Sequence, residues 1–257
     1  MNLPLNPSAA QGFQTSAVAY ERGRPDYPAA ALACLATALR LEPGKLVVEL
    51  GAGTGKFTHS LLTTGAQVIA VEPVEGMRRK FAELFPKVEL RTGTAEVTTL
   101  EDASVDAVVA AQAFHWFDGP HALAEIRRIL RSGGALGLLW NVRDSAVAWV
   151  AELDRILDAH DPGLPRYKSG AWKTVFERNR LFGPLQSESF TYEQVGTVQG
   201  LRDRLASISY VADLPDAARL KMLDEVSAMI DRHLGLGPSD RLVTPHRTDV
   251  YWSARIG

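Results

Sequence analysis

Glu49-Leu50-Gly51-Ala52-Gly53-Thr54-Gly55 is the stretch whose residue types and spacing most restrict the chemistry available to this chain. Glycine has no Cβ, so a ligand can approach its backbone closely and unusual φ values are cheap. The apolar segment 46–50 precedes the glycines, and a helix-forming segment follows from Lys56. Free N–H groups at such a junction face polar or anionic ligand atoms, which makes it a cradle for a nucleotide-like ligand. Spacing separates the kinds of cradle. A dinucleotide fingerprint needs Gly-x-Gly-x-x-Gly or Ala, and here Lys56 stands at the third small position. A P-loop needs a longer gap before Gly-Lys and then Ser or Thr. Gly51 and Gly55-Lys56 are one residue too close, and Phe57 replaces the hydroxyl.

Other chemistry-bearing residues recur at intervals. Glu72 closes a second apolar run and is placed to accept both hydroxyls of a ribose, although a solvated strand-end carboxylate reads equally simply. Thr94-Ala95-Glu96 and Gln112-Ala113-Phe114-His115-Trp116-Phe117 each follow a further strand candidate. His115 is a candidate general base for an oxygen or nitrogen nucleophile. The plainer alternative is that it caps the next helix or shapes the pocket. Phe114, Trp116 and Phe117 offer ring faces to a cation, or else belong to the core. Arg24 can hold a carboxylate in bidentate fashion, or lie on the surface beside a proline turn. Trp140, Trp149 and Trp172 read as packing residues. Cys34 reads as a small buried residue rather than a nucleophile. As the single cysteine it excludes an intramolecular disulfide and any multi-cysteine metal site, and no metal ligand set is expected.

These residues need a scaffold, and the hydropathy pattern supplies one. Strands are expected at 46–50, 67–72, 88–91, 105–111 and 135–140. Helices are expected at 29–40, at 56–63, around Met77, Phe81, Leu84 and Phe85, and at 120–130, with Asp118 as its candidate cap and Ser132-Gly133-Gly134 as its break. Alternating strands and helices imply βαβ units and a mostly parallel sheet. Beyond Asn141 the pattern turns mainly helical, at 145–160, 171–180, 197–208 and 215–234. An edge strand is expected at 187–192 and a last strand within 242–256. The reading is an α/β, doubly wound, mostly parallel seven-stranded sheet with helices on both faces and an added helical substrate-pocket insertion. Its parts are an arm and lid helix (1–40), a ligand-binding core (41–141), an acceptor-pocket region (142–240) and a closing strand (241–257).

Composition bounds the function. The 257 residues are 46% hydrophobic and 23% charged, which is ample for a packed core and excludes whole-chain disorder. Lys plus Arg is 28 against 30 for Asp plus Glu, so no broad electrostatic commitment to nucleic acid or an anionic membrane is expected. No run approaches the ~18 apolar residues of a spanning helix, and no basic segment precedes an apolar run at the N-terminus. A cytoplasmic location is expected.

With these residues in this order, the chain resembles the class I (Rossmann-like) S-adenosylmethionine-dependent methyltransferases, in their small-molecule group that includes trans-aconitate and ubiquinone-biosynthesis types. The resemblance is strong over residues 18–141 and extends weakly to Arg247-Thr248-Asp249-Val250-Tyr251-Trp252. It implies S-adenosylmethionine as cofactor and specific roles. Gly51, Gly53 and Gly55 line the methionine and ribose portion. Glu49 lies beneath the amino group, Glu72 binds the ribose, and Pro73 and Met77 pack near the adenine. Ala95 and Glu96 meet the adenine edge, and Gln112 presents its backbone carbonyl to the amino group. Residues 20–27 resemble an N-terminal lid in which Tyr20 and Arg24 reach the cofactor carboxylate. The expected acceptor is a small organic molecule, a carboxylic acid or a hydroxyl compound, and the oligomeric state is left open. A nucleic-acid substrate is disfavoured, because Ala113-Phe114-His115-Trp116 stands where an Asn-Pro-Pro-Tyr-like tetrapeptide would be. Two alternatives remain: a non-catalytic protein that binds the cofactor or a metabolite, and a NAD(P)-dependent reductase. Lys56 and the lack of a Tyr-x-x-x-Lys pair count against the reductase.

Overall fold

The computed structural model describes residues 26–161, 163 and 166–257. The expected Tyr20 and Arg24 contacts lie outside them. Seven strands form one sheet in the order β3-β2-β1-β4-β5-β7-β6. They are β1 (Leu46–Leu50), β2 (Gln67–Val71), β3 (Glu89–Arg91), β4 (Val105–Ala111), β5 (Leu130–Arg143), β6 (Gln186–Thr197) and β7 (Arg241–Ala254). The first five are parallel, while β7 runs antiparallel to both β5 and β6. The short valine-rich runs of β1 and β4 bury both faces, as a sheet covered on two sides requires.

Helices α1 (Ala29–Leu39), α2 (Lys56–Leu62), α3 (Glu75–Leu84) and α4 (Gly119–Ile129) supply the covering layers. One face of the sheet packs Val47, Val109 and Leu139 against Leu35 and Leu39 of α1 and Phe57 and Leu61 of α2. The other packs Val48, Val108 and Leu138 against Leu123, Ile126 and Ile129 of α4. A separate apolar cluster joins Leu153 of α5 (Ala148–Asp158), Leu205 of α7 (Val198–Ala206) and Val226 and Ile230 of α9 (Asp216–Leu234), with Leu242 of β7. The short helices α6 (Thr174–Arg178) and α8 (Ser209–Ala212) complete the helical set among the described residues. No described helix is long and apolar enough to cross a membrane.

The break expected at Ser132-Gly133-Gly134 takes another form. Leu130 already pairs with Val105, and pairing resumes at Ala107 with Ala135, so the glycines form a bulge inside β5 rather than a gap before it. Gly133 takes φ +77, and a Cβ on Gly134 would meet the Asp106 carbonyl at 2.8 Å. Asp118 occupies the cap position of α4 but its side chain makes no cap hydrogen bond; it pairs with His121 instead. The edge strand is longer than expected because its ladder with β7 runs unbroken from Gln186 to Thr197. Cys34 is only half-buried. Its thiol lies 3.4 Å from Glu188 Oε2, and burial with that carboxylate pushes its pKa up to about 11, so it is no thiolate at neutral pH.

One glycine sets how closely α1 approaches the sheet. A Cβ at Gly137 would lie 2.5 Å from Leu35 Cδ1 and 2.9 Å from Leu39 Cδ2. Gly137→Ala is therefore expected to cost about 1–3 kcal/mol through overpacking. Leu35→Ala is expected to cost about 2–5 kcal/mol through the cavity it leaves. The double variant should cost less than the sum in urea denaturation, since each change relieves the other; strict additivity would show that the two residues share no contact.

Candidate functional site

The parallel strands end along one rim, and the chemistry-bearing residues follow their last positions. Beyond β1 the chain turns sharply: the Gly51 and Ala52 N–H groups both donate to Val71 O at the end of β2. Gly51 takes φ +67, and a Cβ there would sit 2.9 Å from Ala113 Cβ, so the β1 and β4 loops approach at a distance only glycine allows. Gly55 takes φ +92 against the Phe85 ring. Above Gly53, by contrast, a Cβ would meet nothing within 4 Å among the described residues, so this part of the loop faces open space there.

Glu72 ties the next strand end to this loop. Its Oε2 accepts the Gly53 N–H at 2.9 Å and its Oε1 accepts the Val74 N–H at 2.8 Å. Arg78 Nη1, on α3, donates to the carbonyls of Glu72 and Pro73. Glu72 is therefore no solvated strand-end acid: it is 5% exposed. Burial raises its pKa, and the Val74 and Gly53 N–H groups and the Arg78 charge pull it partly back. Glu49, 2% exposed, accepts the Thr58 hydroxyl at 2.5 Å. Burial first, and then the charge of Glu72, push it up to about 8 against the pull of Thr58, so it holds its proton at neutral pH. In the same loop the Thr54 hydroxyl is buried with no hydrogen-bond partner among the described residues. Two buried carboxyl groups and an orphaned hydroxyl suit a ligand that brings a cation and hydroxyls.

The remaining expected residues stand on the same rim. Met77 and Ala95 are buried, and Pro73 and Glu96 are half-buried. Glu96 Oε1 accepts the Asp118 N–H at 2.9 Å, which joins the β3 loop to the start of α4. Gln112 follows β4 in a left-handed conformation, φ +58, an arrangement that costs a non-glycine residue about 1–3 kcal/mol. Its Nε2 donates to Asn141 O at 2.9 Å, linking the rims of β4 and β5.

His115 lies in a one-turn 3-10 segment after that kink, its Nδ1 accepting the Trp140 indole N–H at 3.0 Å. The neutral ring then carries its proton on Nε2, and the Nδ1 lone pair that a base would use is already engaged. Phe114 is core, 1% exposed and packed on Phe117, Trp172 and Phe176. Trp140 stacks on Tyr167, and Trp172 packs against both. The sequence reading gives no role to Thr54 or Thr58, nor to Arg78, which stands in the basic run Arg78-Arg79-Lys80. The signal for Arg78 was its place early in the helix that follows Glu72, within reach of the strand-end carbonyls.

A family model described as a methyltransferase domain matches residues 48–138. An uncharacterized methyltransferase of Mycobacterium tuberculosis is 38% identical over 237 residues, covering 92% of each chain. An uncharacterized methyltransferase-like protein of Schizosaccharomyces pombe is 35% identical over 224 residues, covering 86% of this chain and 87% of its own. Among solved structures, a candidate type II methyltransferase from Anaeromyxobacter dehalogenans superposes with a TM-score of 0.67 at 24% identity, covering 89% of this chain and 97% of its own. A phosphoethanolamine N-methyltransferase of Haemonchus contortus, solved with phosphomonomethylethanolamine and S-adenosylhomocysteine, superposes at 0.58 with 15% identity, covering 95% of this chain and 58% of its own.

The proton on Glu49 has a thermodynamic signature. Its pKa is raised on folding from 4.5 to about 8, so the folded chain holds a proton that the unfolded chain releases. That stabilisation is full below about pH 4.5 and is lost as pH rises towards 8, with a slope of up to about 1.4 kcal/mol per pH unit. Glu49→Gln, which mimics the protonated acid, should flatten this part of the stability curve in urea melts. An unchanged slope would show that Glu49 is ionised in the folded protein.

Proposed function

This chain belongs to the methyltransferase family, and from that premise we propose that it transfers a methyl group from S-adenosylmethionine to a small organic acceptor, leaving S-adenosylhomocysteine. The observation that carries the reading is the joined pair of Gly53 and Glu72, with open space above the glycine and the unpartnered Thr54 hydroxyl beside it. Glu72 spends two lone pairs on backbone N–H groups and keeps capacity for both ribose hydroxyls. Glu49 lies deeper, where a cationic amino group would draw off its proton. Gly51, Gly53 and Gly55 line the methionine and ribose portion, Pro73 and Met77 flank the adenine, and Ala95 and Glu96 meet its edge. Gln112 is assigned to the amino group through its backbone carbonyl. Tyr20 and Arg24, outside the described residues, are assigned to the cofactor carboxylate. The structural neighbour that holds S-adenosylhomocysteine supports the choice of ligand.

The bound cofactor supplies a sulfonium whose methyl carbon is already activated. The chain's own work is then to align the acceptor and exclude water. His115 serves this as an Nε2–H donor rather than as the base its position suggested, because Trp140 holds its other nitrogen. A carboxylate acceptor needs no base, since it is ionised at neutral pH. We place the acceptor against residues 142–240, in a protein of the cytoplasm. A cofactor-binding protein without turnover remains the rival reading, separated by formation of S-adenosylhomocysteine once acceptors are screened.

Calorimetry tests the cofactor directly. S-adenosylmethionine and S-adenosylhomocysteine should bind in the micromolar range, and NADH and NADPH should not. Glu72→Ala should weaken adenosyl binding by about 1–3 kcal/mol. Equal affinity in wild type and variant would remove Glu72 from the ribose. Absence of adenosyl binding to the wild type would overturn the reading.

A further inference from the structure

The sheet has a part that the cofactor reading leaves unused. β4 stops at Ala111 opposite Leu139, but β5 and β7 stay paired through Asn141, Val142 and Arg143, and β6 and β7 stay paired to Thr197. Three strands thus overrun the rim and stand beside it as a wall. On that wall His246 pairs with Arg143 on one side and Tyr192 on the other.

His246 is 1% exposed. Its Nδ1 lies 2.9 Å from Thr244 O, and a carbonyl only accepts, so Nδ1 carries the ring proton. Nε2 is then a bare lone pair, buried with no hydrogen-bond partner among the described residues. Burial, aided by the nearby Arg204 and Arg143 charges and opposed by Thr244 O and Asp154, holds the pKa down at about 4, so the ring is neutral. The Tyr192 ring lies 5.4 Å away, and its buried hydroxyl, with Thr248 as its polar neighbour, makes no hydrogen bond of good geometry among the described residues. A buried polar group left unsatisfied is costly to a protein, and two such groups on paired positions ask for a common partner.

The wall is joined to the cofactor loop. The Thr248 hydroxyl donates to Asn141 Oδ1 at 2.5 Å, and Asn141 O takes the Gln112 amide. The chemistry then restricts the ligand. A carboxylate has no proton to give at neutral pH and would set lone pair against lone pair at Nε2. A hydroxyl donates to Nε2 and still accepts from the tyrosine.

We propose that His246 and Tyr192 form the acceptor-recognition subsite, and that they take a hydroxyl of the acceptor, which donates to His246 Nε2 and accepts from Tyr192 Oη. This rests on the methyl-transfer reading for its purpose, although the two groups are a hydroxyl site whatever that purpose is.

The test uses the full chain labelled with ¹⁵N-histidine, with and without S-adenosylhomocysteine, and the matched probes phenol and toluene. Phenol should bind at least tenfold more tightly than toluene and should shift the His246 Nε2 resonance upfield while leaving Nδ1 protonated. Tyr192→Phe should reduce the preference, His246→Phe should abolish it, and His246→Gln, which keeps an acceptor atom, should restore part of it. Equal affinities, no binding of either probe, or phenol binding with Nε2 unmoved would each overturn the subsite, and all three are read on the wild type. Hydroxyl preference without adenosylhomocysteine binding overturns the cofactor reading alone. Adenosylhomocysteine binding without hydroxyl preference overturns the subsite alone.

Discussion

The bond between the Glu72 carboxylate and the Gly53 N–H is the constraint on which the site depends. A parallel sheet brings its strand ends to one rim but leaves the loops beyond them free to choose a path. Here a buried carboxylate fixes that path. It holds the loop after β1 to the loop after β2, and Arg78 holds the carbonyls on its other side. Because this carboxyl group is nearly excluded from water, its hydrogen bonds act in a medium that strengthens them and penalises their loss. Glu49, on the neighbouring strand, keeps its proton chiefly because it is itself buried, with the acid at position 72 adding to the push.

Much of this was legible in the sequence, for identifiable reasons. The five parallel strands were readable because buried strands are apolar runs ending at glycine or acid, and the glycine spacing was readable because backbone approach depends on residue type. The place of Glu72 at a strand end was readable, but its bonds to the Gly53 and Val74 N–H groups were not. Less local facts were not. The proton on Nε2 of His115 follows from Trp140, 25 residues away, whose indole no pattern around His115 announces. The depth of Glu49 depends on both neighbouring strands. Arg78 looked like one cation in a basic run because its partners are backbone carbonyls, which have no sequence signature. The bulge at Gly133-Gly134 resembled a loop because glycines mark both.

The wall of β5, β7 and β6 shows the same limit from the other side. Nothing in the residues around His246 distinguishes it from a satisfied core histidine. Only the cross-strand register, which sets it between Arg143 and Tyr192, shows that its second nitrogen has been left without company.

The apolar cluster of α5, α7 and α9 draws just one residue from the sheet, Leu242 of β7, and none from β1 to β5. This divides mutational risk. Substitutions that repack those helices fall on side chains outside the Glu72–Gly53 bond, and distant changes add independently. The helical cluster can therefore be rebuilt, side chain by side chain, while the loop geometry at the strand ends stays as it is.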